Sequence, residues 1–166
     1  MPALFRKFVR RAVIIANYDY KISWGAKTPD QLALPTIKKD IDNLIHWLIN
    51  TCKFRREEIV VLENAKAIDA KKYFCKTVAV SRHFKRKFIN HESESEGGVF
   101  QFVYYAGHGQ VIDGMNHAIM TNEEKRNDYQ PYNLERELLG LKRVTPDIYV
   151  FAVFDCCREI IQALPG

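Results

Sequence analysis

Two short stretches hold residue types that could do covalent chemistry. His108 lies in Tyr104–Gly109 (YYAGHG), and Cys156 and Cys157 lie in Phe154–Arg158 (FDCCR). A thiol attacks a carbonyl carbon as its thiolate, and an imidazole within hydrogen-bond reach can take the thiol proton. A histidine and a cysteine brought together are therefore the minimum for nucleophilic acyl chemistry. Rival chemistries fail on spacing. Gly107-His108-Gly109 begins a dinucleotide fingerprint, but the third glycine position is Ile112. Neither GxxxxGK[ST] nor GxSxG occurs, the serines being Ser23, Ser81, Ser93 and Ser95. His46, His83, His91 and His117 show no metal-ligand spacing.

The elements around these stretches must deliver both to one place. Four apolar runs, Ala12–Tyr18, Glu58–Glu63, Val99–Tyr105 and Ile148–Phe154, are rich in β-branched or aromatic residues and alternate weakly. That pattern predicts strands buried on both faces, as in a parallel sheet. Between them, Ile37, Ile41, Leu44, Ile45 and Leu48 fall on one face of a helix over Thr36–Cys52, which Pro35 and Thr36 can start. A longer helix is predicted over Ile68–Ile89, with Phe74, Val78, Phe84 and Phe88 inward. A shorter one is predicted over Tyr132–Leu141. Asp19–Leu34 and His91–Gly98 read as loops. Gln110–Asn122, with Asp113-Gly114 between apolar residues, reads as a hairpin. Strands alternating with helices predict an α/β fold with helices on both faces of the sheet. Ligands of such sheets bind at the carboxyl ends of the strands, where His108 follows the third strand and the cysteine pair the fourth. If those two strands are neighbours, right-handed crossovers put both on one rim.

Composition narrows the function classes. With 166 residues, 47% of them apolar, the chain fits one domain with a sizeable core. Residues 1–10 read as a basic lead-in and 11–166 as the domain. The net charge of +5 is mild, and the run Arg82–Lys87 reads as a solvated helix face. No nucleic-acid partner is therefore expected. No stretch is long and apolar enough to predict a membrane span. Four cysteines, none in a CxxC arrangement and two of them vicinal, argue against a disulfide framework or a zinc site. They point to a reducing, cytoplasmic setting.

YYAGHG followed by an apolar strand ending in D-x-C-R resembles the caspase-like cysteine peptidases, the group of caspases, metacaspases and paracaspases. The separation fits as well, since 157 − 108 = 49 and the caspase histidine lies about 50 residues before the cysteine. The resemblance covers roughly residues 11–160, the large-subunit portion. It implies a three-layer α/β fold whose strand order, 2-1-3-4, is of the flavodoxin type. It makes Cys157 the nucleophile, His108 the general base, and the backbone N–H groups of Gly109 and Cys157 the oxyanion hole. Asp155 and Asp40 match acids that bind a basic substrate side chain, so the implied activity is an endopeptidase acting on protein or peptide after Arg or Lys. Cys156 reads as a packing residue. Arg158 is more like paracaspases and caspases than metacaspases, and the caspase Gln-Ala before the cysteine is absent. No cofactor is expected. Calcium enters by resemblance only, because Glu92, Glu94 and Glu96 do not have the spacing of a calcium loop. Nine residues follow Cys157 (166 − 157), where the family continues into two further strands. The fourth strand is therefore expected to keep an open edge, prone to self-association or to pairing with another chain. The alternative is a non-catalytic scaffold of the same fold.

Overall fold

Residues 12–16 of the first strand are uniformly apolar and wholly buried, as a strand with helices on both faces must be. The computed structural model describes residues 9–21, 28–77, 98–120, 131–145 and 147–156, and the backbone of 159–160. The elements run β1 (Val9–Ala16), α1 (Pro29–Leu32), α2 (Ile37–Asn50), β2 (Ile59–Glu63), α3 (67–77), β3 (Val99–Ala106), β4 (Gly109–Ile112), β5 (Met115–Ile119), β6 (Pro131–Tyr132), α4 (Leu134–Val144), β7 (Ile148–Asp155) and β8 (Glu159–Ile160). The expected Val78, Phe84 and Phe88 of the long helix lie outside the described residues. So do Arg82–Lys87, the Glu92, Glu94 and Glu96 loop, Cys157 and Arg158.

The main sheet is parallel in the order β2-β1-β3-β7. With β7 as the fourth apolar run, this is the expected order 2-1-3-4. On one face, Ile41 and Leu48 of α2 pack on Ala12, Ile14, Ala16, Phe102 and Ala106. On the other, Tyr73 and Phe74 of α3 and Leu134, Leu138 and Leu141 of α4 pack on Val13, Ile15, Val103 and Tyr105. Successive strand residues thus feed opposite layers. Each Val, Leu, Ile or Phe side chain among them, when fully buried, contributes roughly 1.5–3 kcal/mol. The predicted hairpin is β4–β5, turning at Asp113-Gly114, both at positive φ.

Several boundaries differ from the sequence expectation. β1 begins at Val9 and takes in Arg10 and Arg11. Their guanidiniums escape burial, Arg10 bonding Cys52 O, Lys53 O and Glu58 and Arg11 bonding Tyr73 Oη at 2.8 Å. α4 starts at Leu134, because the Asn133 side chain caps the Arg136 N–H at 2.8 Å and Pro131–Tyr132 pair with β5 instead. The long β1–α2 connection contains a short helix, α1, opened by Pro29.

β7 lies at the edge of the main sheet among the described residues. Tyr149 is 50% and Phe151 57% exposed. Opposite them, Val150, Ala152 and Phe154 line an open groove with Leu138, Leu139 and Lys142 of α4.

Candidate active site

β3 and β7 run side by side in the same direction, so their carboxyl ends share one rim. Ala106 pairs with Asp155, and the Gly107 N–H reaches the Asp155 carbonyl at 3.4 Å. Past the rim, β4 pairs in parallel with β8, Gln110 opposite Glu159. Both ladders hold the same offset, 155 − 106 = 49 and 159 − 110 = 49.

His108 is half-buried between these ladders, and three elements hold it. Its Nε2 lies 2.9 Å from the Leu32 carbonyl at the end of α1. A carbonyl only accepts, so Nε2 carries the proton and Nδ1 has the lone pair of the neutral ring. The ring packs tilted on Tyr20, with centroids 5.0 Å apart. Tyr20, Leu32 and Ile119 form their own buried cluster, which packs the β1–α2 connection onto the end of β5. The His108 main chain donates from N–H to Tyr20 Oη at 3.0 Å. Its carbonyl accepts from Tyr105 Oη at 2.5 Å and from the Ile119 N–H at 3.0 Å.

Beneath this segment, wholly buried Asn17 joins three chain ends. Its Oδ1 accepts from the Ala65 N–H at 2.8 Å, and its Nδ2 donates to Ile119 O at 3.1 Å. Gly107 has φ +154°, and a Cβ there would meet Tyr105 Oη at 2.7 Å, Tyr20 Oη at 2.9 Å and Asn17 O at 3.0 Å. Only glycine lets the chain pass so close.

Gly109 opens β4 opposite Ala118. The neighbouring pair, His108 with Ile119, carries the N–H···O bond. Antiparallel ladders alternate, so the Gly109 amide turns away from β5, toward the flank where Glu159 pairs.

The acidic residues stand on the α2 side of the rim. Asp155 is exposed and accepts from Tyr104 Oη at 2.6 Å. Asp40, in the first turn of α2, is also exposed. The Tyr104 phenol is raised well above its ordinary value, first by burial, then by its bond to Asp155 and the charges of Asp155 and Asp40. Both carboxylates therefore act on one hydroxyl. Cys156 is half-buried and packed against the core cluster that includes Tyr105 and Met120. That is the packing position expected for it. Among the described residues no cluster of three or more His, Cys, Asp or Glu could hold a metal ion, and no helix is long and apolar enough to cross a membrane.

Sequence reasoning missed Asn17, Tyr20, Leu32 and the role of Tyr105. Leu32 acts through its carbonyl, which no side-chain pattern announces. The Pro29 helix start inside the long loop was the available signal that this segment is ordered.

A family model for the caspase domain matches residues 9–164. No curated protein matches the chain. The match spans nearly the whole sequence, and the parallel sheet and the histidine at its carboxyl rim agree with it. The chain belongs to the caspase domain family of cysteine peptidases.

Proposed function

We propose that this chain is a cysteine-type endopeptidase that works through a His108–Cys157 dyad and cleaves after Arg or Lys. The observation that carries the dyad is the register. The offset of 49 residues holds on both sides of the rim, and 49 also separates Cys157 from His108. The tautomer fixed by Leu32 O supports the same roles, because Nδ1 is the nitrogen able to take a proton.

The chemistry follows in two halves. The Cys157 thiol gives its proton to Nδ1 and the sulfur bonds the scissile carbonyl carbon. The N–H groups of Gly109 and Cys157 receive the developing oxyanion. The imidazolium then returns the proton to the leaving amine as the C–N bond breaks, leaving a thioester. Water attacks the thioester, giving a proton to His108, and the carboxylate product leaves as the thiol is restored.

Substrate choice rests on Asp40 and Asp155. Their joint action on Tyr104 supports a shared pocket of negative charge. Such a pocket attracts guanidinium or ammonium, and Arg gains most because its planar fork can serve two carboxylates. Fluorogenic peptides ending in Arg, Lys or Asp test this. Cleavage is expected after Arg, then Lys, and not after Asp. An Arg preference that survives in a folded Asp40→Ala, Asp155→Ala double variant contradicts the pocket assignment.

A second reading is favoured by one observation, the open aromatic face of β7. In it the fold serves as a scaffold whose edge strand pairs with a second copy or another chain. Concentration-dependent association together with an unreactive Cys157 in the folded protein supports that reading over the enzyme.

A further inference from the structure

We infer that Tyr20 and Tyr105 are positioning residues for His108, a pair of buried hydroxyls that fix its main chain so that its ring meets the reacting atoms in one orientation. This rests on the proposed role of His108 as the base.

The two backbone groups of His108 lie at a junction where regular sheet pairing lapses, between the end of β3 and the start of β4. In an antiparallel ladder the His108 N–H would bond Ile119 O. Here it bonds Tyr20 Oη at 3.0 Å, and Ile119 O is taken by Asn17 Nδ2 at 3.1 Å. The carbonyl of His108 accepts from Tyr105 Oη at 2.5 Å. Both phenols are nearly inaccessible, Tyr20 at 4% and Tyr105 at 0% exposure. They come from opposite sides of the site, one from the β1–α2 connection and one from β3 itself. A Cβ at Gly107 would meet both oxygens, Tyr105 Oη at 2.7 Å and Tyr20 Oη at 2.9 Å, so only glycine at this position leaves room for the pair.

The arrangement needs hydroxyls rather than rings alone. Tyr20 Oη accepts from His108 N–H and donates to Asn17 O at 3.1 Å. Tyr105 Oη accepts from the Ile119 N–H at 3.0 Å while donating. Burial pushes the Tyr20 phenol up to about 12, so it stays a neutral donor and acceptor across the working range. The Tyr20 ring also backs the imidazole, so one residue fixes both the main chain and the ring plane of His108. Removing one oxygen keeps the packing and leaves a buried amide or carbonyl short of a partner, which it can regain only by moving. A displacement of order 1 Å at a catalytic group lowers turnover by about 10²-fold.

The test compares the full-length chain with its Tyr20→Phe and Tyr105→Phe variants, with Tyr18→Phe as a control whose hydroxyl bonds Glu63 instead. Two readouts are taken on folded protein. The first is the 15N NMR signal of the His108 ring, which reports the tautomer and the exchange of Nε2–H. The second is kcat and KM on an Arg peptide. The wild type and Tyr18→Phe are expected to show a single Nε2–H tautomer with slow exchange. Tyr20→Phe is expected to show faster Nε2–H exchange and a mixed tautomer, with kcat lowered about 10²-fold and KM unchanged. Tyr105→Phe should change the ring signal in the same way. If Tyr105→Phe fails to fold, Tyr20→Phe alone decides. A ring signal identical to wild type in folded Tyr20→Phe overturns the inference, as does a rise in KM with kcat unchanged. An inactive wild type with the predicted ring changes overturns the peptidase reading and leaves the positioning role standing.

Discussion

β1 and β7 flank β3 on either side, and each pairs with it in parallel along the same eight residues, Val99–Ala106. Both are apolar runs. Yet residues 12–16 of β1 are wholly buried, while β7 has Tyr149 and Phe151 at least half exposed and no buried residue after Ile148. The difference lies in what covers them. β1 has β2 beside it and helices over both faces, whereas β7 has α4 lining a groove on one face and Phe102 stacked under Phe151 on the other. The two halves of the site inherit this contrast. Of the residues that support His108, Asn17, Tyr20 and Leu32 follow β1, and Tyr105 belongs to β3 beside it. Asp155 ends β7, and Cys156 and then Cys157 follow it. The base is thus built into the closed flank of the sheet, and the proposed nucleophile is carried by the open one.

The contrast can be broken most strongly on the closed flank. Ile14→Ala removes a fully buried side chain from the α2 face and is expected to cost about 2–5 kcal/mol, read from the denaturant midpoint. A loss under about 1 kcal/mol would mean that β1 is not the anchor of the sheet.

A somewhat smaller effect is expected from alkali, and it too belongs to the closed flank. Tyr20 ionises near 10.0 when exposed and only near 12 in the folded chain, chiefly because it is buried. Tyr105 is raised too, chiefly by its burial. Between those values the unfolded chain holds fewer protons than the folded one, so stability falls as pH rises. The contribution is full below pH 10 and drains away toward pH 12, roughly 2–3 kcal/mol for a shift of this size. Denaturant midpoints followed over this range should fall less steeply in Tyr20→Phe than in wild type. Equal slopes would mean that Tyr20 is not sheltered.

The smallest stability change is expected on the open flank. Phe151→Ala loses only a stacked contact with Phe102 at 6.0 Å and should cost about 1 kcal/mol or less. Its larger consequence should be in solution behaviour. If the β7 face drives self-association, sedimentation at rising concentration should show less of it in Phe151→Ala. Equal association in both proteins would place the sticky surface elsewhere.

The strands were legible because buried parallel strands write themselves as unbroken apolar runs, whereas their order was open to the runs alone and came from the family resemblance. α2 was legible from five apolar positions on one helical face. His108 and the cysteine pair stood out because glycines and strand ends frame them. The positioning residues did not. Asn17 and Tyr105 sit inside or just after apolar strands, where a tyrosine reads as one more large core residue. Whether the Tyr105 hydroxyl meets the His108 carbonyl, or the Tyr20 hydroxyl the His108 N–H 88 residues away, depends on tertiary placement, which no local period encodes. The start of α4 was missed by two residues because Asn133 competes for the cap with the Pro131–Tyr132 pairing.

The central claim is that His108, held by the closed flank, activates Cys157 at the end of the open one. A peptidyl-Arg ketone that alkylates an active thiolate, followed by mass mapping of the labelled cysteine, tests it most directly. The account predicts labelling at Cys157, not at Cys52, Cys75 or Cys156, faster with Arg than with Asp in the peptide, and at least about 10²-fold slower in folded His108→Ala. Labelling of Cys157 at the same rate with and without His108, or labelling at Cys156 instead, would contradict it.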